Sequence, residues 1–229
     1  DHRKKELFMY DLIVVGAGPS GVACSSYIAK EGYKVLLIEQ SEFPRFRIGE
    51  SLLPFSMEIF NDLGFDQVLD AGEYLRKNGA LFISSKDEKS VYFDFSDGGK
   101  AQFPFSYEVS RSLFDKDFLE HAKSLGVEVS QPEEYKSCNI SSDLVTVTTN
   151  KKEYKSKFII DATGGKSLII NKFEKKTKNE LYSNNFSIYA HFKDVENNRI
   201  KDQGDITIGL LLNQAWSWVI PFKDGSTSV

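Results

Sequence analysis

The chain has 229 residues, 29 Lys+Arg against 33 Asp+Glu and a formal net charge of −4. With 41% apolar and 27% charged residues it has the make-up of a soluble globular protein, long enough to bury a core unaided. A pI near 5.5 argues against a basic nucleic-acid-binding face, two cysteines without a C-x-x-C argue against a disulfide framework or a zinc knuckle, and no run of 18 apolar residues offers a membrane span.

The opening Asp1-His2-Arg3-Lys4-Lys5-Glu6 is charged and lacks the apolar stretch of a signal peptide. It reads as a solvated arm. Cys24 and Cys138 read as reduced thiols, which points to the cytoplasm. Tyr10 to Val15 is an apolar, β-branched run suited to a strand buried on both faces. Gly16-Ala17-Gly18-Pro19-Ser20-Gly21 follows, then a helix from Val22 to Lys30 that ends at Glu31-Gly32. Lys34 to Ile38 is the second strand, tipped by Glu39. Together they form a βαβ unit.

Gln40 to Glu50 reads as a loop carrying Pro44, Arg45 and Arg47. Pro54 to Leu63 reads as a helix with Phe55, Ile59 and Leu63 on one face. Gly79–Ser84 and Val91–Phe95 read as strands around the turn Lys86-Asp87-Glu88-Lys89. Ser112–Leu125 is an amphipathic helix closed by Gly126, and Val127-Glu128-Val129 starts another strand. Alternating segments between Tyr135 and Phe158 suit an antiparallel meander. Phe158-Ile159-Ile160 reads as a strand running into Asp161-Ala162-Thr163-Gly164-Gly165. Asn171–Glu180 reads as an exposed loop, and Phe186–Phe192, Ile206–Leu212 and Ala215–Ile220 as longer strands. The chain stops at Gly225-Ser226-Thr227-Ser228-Val229, a β-like segment without a polar tail, so a C-terminally truncated piece of a longer protein is expected.

Gly16-x-Gly18-x-x-Gly21 carries the dinucleotide-binding pattern. Gly16 permits the tight turn out of the strand. Gly18 lets backbone approach a pyrophosphate, and Gly21 lets helix and sheet pack closely. The helix start that follows offers free amide groups and a positive dipole end to phosphate. Glu39 can accept hydrogen bonds from both ribose hydroxyls and would repel a 2′-phosphate. This pattern alone leaves NAD and FAD both open.

Four further segments resemble the FAD-dependent monooxygenase-like superfamily and, within it, the flavin-dependent halogenases. Gly49-Glu50-Ser51-Leu52-Leu53-Pro54 is similar to that group's flavin-contacting loop. Val109-Ser110-Arg111-Ser112-Leu113-Phe114-Asp115 resembles its Arg-led helix, which implies that Arg111 contacts the dinucleotide. Asp161-Ala162-Thr163-Gly164 is similar to its strand end beside FAD. Trp216-Ser217-Trp218-Val219-Ile220-Pro221 matches the W-x-W-x-I-P signature, and both tryptophans of the chain fall within it. On a strand the two indoles point to one face. They read either as core aromatics or, as the resemblance implies, as a wall that keeps organic substrate from the flavin. Arg76-Lys77-Asn78-Gly79 resembles the stretch holding the family's reactive lysine, so Lys77 is either that amine or a solvated lysine.

The resemblance implies an α/β fold: a Rossmann-type FAD-binding domain, p-hydroxybenzoate hydroxylase-like, with an interleaved β-rich substrate domain. The expected division is 1–73 with 104–167 for FAD and 74–103 with 168–229 for substrate. The implied catalytic residues are Lys77, Trp216 and Trp218. The implied FAD-binding residues are Gly16, Gly18, Pro19, Ser20, Gly21, Glu39, Gly49, Glu50, Ser51, Arg111, Asp161, Ala162 and Gly164, with no metal. The implied activity uses reduced FAD, oxygen and halide to halogenate an electron-rich aromatic small molecule, with a separate flavin reductase as possible partner. A hydroxylase or a geranylgeranyl-reductase-like dehydrogenase is the alternative. The family's second flavin motif is not found before Val229.

Other constellations carry less. Gly165-Lys166-Ser167 lacks the upstream glycine of a P-loop. His2, His121 and His191 are scattered and read as surface or capping residues. No G-x-S-x-G elbow is present, and Lys172, Lys175, Lys176 and Lys178 read as a solvated charge run.

Overall fold

The computed structural model describes residues 9–98, 102–173, 186–195 and 204–229. In chain order the elements are β1 (Met9–Val15), α1 (Pro19–Lys30), β2 (Val35–Ile38), α2 (Pro54–Leu63), α3 (Asp66–Ala71), β3 (Leu75–Lys77), β4 (Gly79–Ser84) and β5 (Ser90–Asp94). They continue with β6 (Ser106–Glu108), α4 (Arg111–Ser124), β7 (Glu128–Ser130), β8 (Tyr135–Ile140), β9 (Val145–Thr149), β10 (Glu153–Asp161) and α5 (Ile170–Phe173). The last are β11 (His191–Phe192), β12 (Ile206–Leu210), β13 (Trp216–Pro221) and β14 (Thr227–Ser228).

Two compact units divide the chain: Asp1–Arg45 with Asp115–Leu181, and Phe46–Phe114 with Tyr182–Val229. The division runs through α4. Residues 46–73 and 104–114 therefore pack with the second unit, although the sequence reading groups them with the nucleotide-binding part.

The first unit is built on a six-stranded sheet in the order β7-β2-β1-β10-β9-β8. The strands β7, β2, β1 and β10 run parallel, with Leu12–Val15 opposite Val35–Ile38 on one side and Val15 opposite Asp161 on the other. The apolar runs expected for strands buried on both faces are β1 and β2, and all four residues of β2 are buried. The meander forms β8 and β9, which alternate as a half-buried antiparallel pair does: Val145 and Val147 are buried while Thr146 and Thr148 are only partly so. Tyr10, Ile13, Leu36, Ile38, Tyr135, Val147 and Tyr154 form the core of this unit. Their burial contributes roughly 1.5–3 kcal/mol for each large apolar side chain.

The second unit has a six-stranded sheet in the order β11-β14-β13-β12-β4-β5 and a separate antiparallel pair, β3-β6. Phe60, Phe65 and Phe114 meet edge to face with ring centroids 5.7 Å apart in each pair, joined by Tyr74 at 6.3 Å from Phe114. This arrangement suits the ring quadrupoles. The Pro54–Leu63 helix and the Gly79–Ser84 strand have the expected bounds, but the helix buries Met57, Phe60 and Leu63 and leaves Phe55 and Ile59 of the expected face exposed.

Several elements differ from these expectations. α1 begins at Pro19, not Val22, because proline fits the first helical turn, where its missing N–H is not needed. Among the described residues, the expected strand Phe186–Phe192 is paired only over its second half, where Ala190 exchanges backbone hydrogen bonds with Val229 and His191–Phe192 pair with Thr227–Ser228. Phe186 and Ile188 are more than four-fifths exposed, so among the described residues the alternation there meets no neighbouring strand. Phe158-Ile159-Ile160 is the end of the nine-residue β10 rather than a separate strand. The Asn171–Glu180 stretch starts as the last turn of α5; its residues 174–180, like the opening arm at 1–8, lie outside the described residues.

Candidate functional site

In the first unit, the carboxyl ends of β1, β2 and β10 sit side by side, and the loop after β1 turns straight into α1. Gly16 has φ of +105°, and a Cβ on it would lie 2.5 Å from the Ala162 carbonyl oxygen. A Cβ on Gly21 would lie 2.0 Å from the Gly16 carbonyl oxygen. Only bare backbone fits at either position. Gly18 differs: it has an ordinary φ of −71°, and a Cβ there would meet nothing within 4 Å. It is the N-cap of α1 yet offers no side-chain cap, and the first turn of the helix has no acidic residue. Pro19 and Ser20 follow on that turn. A helix start with open room and no capping oxygen fits an anionic diphosphate by charge and by shape.

Glu39, at the tip of β2, is buried. Its Oε2 accepts from the Ala17 N–H at 2.8 Å and its Oε1 from the Ser41 N–H at 2.9 Å. Arg45 reaches it at 3.9 Å and pairs with buried Asp115 at 3.0 Å. Glu39 thus shapes the glycine turn. Its two oxygens keep lone pairs beyond these bonds. Asp161 ends β10 and ties down the loop after it. One oxygen accepts from the Thr163 N–H and hydroxyl at 3.0 and 2.6 Å, the other from the N–H groups of Ile169 and Ile170 at 2.8 and 3.1 Å. Burial alone would raise this carboxyl, but the donors outweigh it and hold it below its ordinary range. Ala162 packs beneath Gly16, and Gly164 opens an exposed turn with φ of +64°.

In the second unit, Gly49, Glu50, Ser51, Lys77, Trp216 and Trp218 line one cavity of about 720 Å³. Most of its remaining wall is apolar, with Phe82, Phe93, Phe95, Ile206 and Ile208 among the lining residues. Lys77 is the outlier: its side chain is only 1% exposed. Its ammonium donates to Ser51 Oγ at 2.5 Å and lies 3.7 Å from Glu108 Oε1. The Ser51 hydroxyl in turn donates to Glu108 Oε1 at 3.1 Å. Lys77 is therefore not a solvated surface lysine. Burial lowers its pKa, opposed by the charges of Glu108 and Asp205. Burial likewise pushes the Glu108 carboxyl up to about 8, opposed by Lys77 and the Ser51 hydrogen bond. Both shifts favour neutral forms.

Trp216 and Trp218 lie on one side of β13 with ring centroids 5.5 Å apart. Trp216 is 56% exposed, which removes the reading of a core pair. Trp218 is half-buried and its indole donates to Ser228 Oγ at 3.1 Å. Arg111, at the start of α4, donates to the Ile48 carbonyl at 2.8 Å beside Gly49 and so clamps the Gly-Glu-Ser loop.

Sequence reasoning missed Arg45, Glu108 and the role of His191. His191 is not an isolated surface histidine: its Nε2 lies 2.8 Å from Oε1 of buried Glu50. Glu108 left one signal, a carboxylate in the otherwise uncharged run Ser106-Tyr107-Glu108-Val109. Among the described residues no group of three or more His, Cys, Asp or Glu side chains is placed to hold a metal, and no helix is long and apolar enough to cross a membrane.

A family model described as "FAD binding domain" matches residues 9–222. A 1H-pyrrole-2-carbonyl-[peptidyl-carrier protein] brominase of Pseudoalteromonas luteoviolacea is 29% identical over 98% of this chain and 55% of its own length. Among solved structures, a flavoprotein/dehydrogenase from Cytophaga hutchinsonii superposes with a TM-score of 0.85 at 33% identity, covering 96% of this chain and 54% of that one. The myxobacterial chondrochloren halogenase CndH gives 0.80 at 27%, covering 96% and 52%. The chain thus spans about half the length of these relatives. With its glycine turn, its uncapped helix start and a matching model over nearly all of its length, the chain belongs to the FAD-binding domain family, with FAD as cofactor and flavin-dependent halogenases among its relatives.

Proposed function

We propose that the protein is a flavin-dependent halogenase in which Lys77 hands an electrophilic halogen to an electron-rich aromatic small molecule. Lys77 carries the reading: it is a fully buried amine on the wall of an apolar cavity, bonded to the Gly-Glu-Ser loop. A buried lysine with a depressed pKa is a familiar device for a reactive amine, because desolvation frees its lone pair. Reduced FAD, when bound, would activate oxygen, and oxygen would be the oxidant that raises halide to a hypohalous electrophile. Gly16, Gly18, Pro19, Ser20, Gly21, Glu39, Asp161, Ala162 and Gly164 would hold or frame the adenosine diphosphate part. Gly49, Glu50, Ser51 and Arg111 would form and steady the loop against the flavin.

The chain's own part is binding, orientation and exclusion. The Lys77 ammonium donates hydrogen bonds to the hypohalous oxygen, and its neutral form presents a lone pair to the halogen. The flat aromatic walls at Phe82, Phe93 and Trp218 suit an aromatic substrate, and Trp216 with Trp218 screens it from the cofactor. A separate reductase delivering reduced flavin and a cytoplasmic setting belong to the same reading. The relative named a brominase for a pyrrole carried on a peptidyl-carrier protein supports a heteroaromatic substrate here.

Lys77→Ala tests this. The variant is expected to keep FAD affinity within about twofold, since the amine adds nothing to diphosphate binding, and to lose halogenated product by at least a hundredfold. Halogenation that survives the substitution refutes the role given to Lys77.

A further inference from the structure

We propose that Glu108, acting through the Ser51 hydroxyl, is the positioning residue and proton acceptor for Lys77. The inference rests on the reading of Lys77 as the reactive amine. It begins with strand register. β3 and β6 pair antiparallel with Lys77 opposite Ser106 and Leu75 opposite Glu108. Residues two apart on a strand share a face, so Lys77 and Glu108 are diagonal neighbours on one side of this two-stranded pair. Ser51 joins them from the preceding loop through an isolated bridge to Glu108. The result is a chain of two hydrogen bonds, 2.5 Å from Lys77 Nζ to Ser51 Oγ and 3.1 Å from Ser51 Oγ to Glu108 Oε1.

Such a pair is poor value for stability. Both charges lose water, and Glu108 Oε2 is buried with no hydrogen-bond partner among the described residues. Replacing a buried ion pair with apolar side chains commonly leaves a protein as stable or more so. The arrangement instead suits proton movement. Lys77 gives a proton from Nζ to Ser51 Oγ while Ser51 passes its own hydroxyl proton to Glu108 Oε1. One N–H bond breaks and one carboxyl O–H bond forms. The products are a neutral amine, an intact serine hydroxyl and a neutral carboxylic acid, and the net charge of the pair is zero before and after. Burial brings the charged and neutral forms of the pair closer in energy.

Asp205 acts electrostatically on both groups, and its oxygens accept from the Asn78 and Gly79 N–H groups and the Tyr92 hydroxyl. Glu50, next to Ser51, is paired with His191. Arg76, between Leu75 and Lys77, stacks over the Phe105 ring at 3.6 Å. Asp94 lines the cavity. Glu108 is the only carboxylate bonded to the Ser51 hydroxyl among the described residues.

The test reads the amine itself. In the intact protein with isotopically labelled lysine, the Lys77 signal, assigned by its loss in Lys77→Arg, is followed against pH. Removing the carboxylate makes the ammonium less favourable, so Glu108→Gln is expected to lower the Lys77 midpoint, with its proton affinity reduced at least tenfold. Glu108→Asp, which draws the carboxylate back by one methylene, gives a smaller shift in the same direction and serves if the Gln variant does not fold. A Lys77 midpoint unchanged in either folded variant overturns the proposal. Because this readout needs no turnover, it decides the Glu108 linkage whether or not halogenated product is seen. Where turnover is measured, Ser51→Ala is expected to move the pH profile of kcat; an unmoved profile would also count against the relay.

Discussion

Gly18 and Gly21 stand three residues apart in one motif, and the structure assigns them opposite consequences on replacement by alanine. At Gly21 the new methyl would sit 2.0 Å from a backbone oxygen, that of Gly16. Backbone at the end of a central strand cannot swing aside as a side chain can, so the cost lies at or above the upper end of overpacking, about 3 kcal/mol. For a protein of this size that lowers Tm by roughly 6–12 °C. At Gly18 the methyl meets nothing within 4 Å and φ is −71°. Loss of glycine at an N-cap costs up to about 1 kcal/mol, and the stiffer unfolded chain returns about 0.4–1 kcal/mol, so the two nearly cancel. The apoprotein should melt within about 2 °C of wild type. The same methyl occupies the room where the diphosphate would approach the helix. FAD affinity in Gly18→Ala should therefore fall at least about tenfold, or 1.4 kcal/mol. Thermal melts of the apoproteins and flavin-fluorescence titrations measure both arms. A Gly18→Ala protein that binds FAD as tightly as wild type would refute the assignment of that space to diphosphate, and a Gly21→Ala protein as stable as wild type would refute the packing argument.

Two further outcomes follow from particular contacts. Asp161→Asn gives up a charged acceptor serving four donors, and hydrogen bonds to a charged group are each worth about 1.5–3 kcal/mol, so a loss of at least that size is expected. Because the folded-state pKa of Asp161 is depressed, its stabilisation is present above the ordinary carboxylate value of 3.8 and disappears as pH falls through the lower folded-state value. Denaturant unfolding should show the wild-type advantage narrowing on acidification; a constant gap would contradict the linkage. Trp218→Phe removes the indole hydrogen bond to Ser228, worth about 1 kcal/mol, while keeping most of the ring's burial; a loss above about 3 kcal/mol would mean that the indole is held by more than this bond.

Much of the first unit was legible from residue order. A β-branched run, a glycine turn, a helix and a second apolar run lie within 30 residues of one another, and local periodicity determines them. The second unit was less so. Its β4 and α2 were readable, but Phe186–Phe192 alternates like a strand and is mostly unpaired, because pairing depends on a neighbour that alternation does not specify. The site residues show the same limit. Gly16 and Gly21 declare themselves because each meets backbone close in sequence or at a strand end. Glu108 does not: its partners Ser51 and Lys77 lie 57 and 31 positions away, and an isolated bridge and the β3-β6 register bring them to it. Glu50 and His191 are 141 positions apart. Arg45 was visible as one arginine among two in a loop, with nothing in the sequence to tie it to Asp115.

The proposed delivery of halogen to an organic substrate is read most directly in the product's mass under a change of halide. Intact protein supplied with reduced FAD, oxygen and an electron-rich aromatic should give product whose mass rises by chlorine in chloride and by bromine, with its paired isotopes, in bromide. Product of the same mass in both salts and in their absence would contradict halogen transfer at this site.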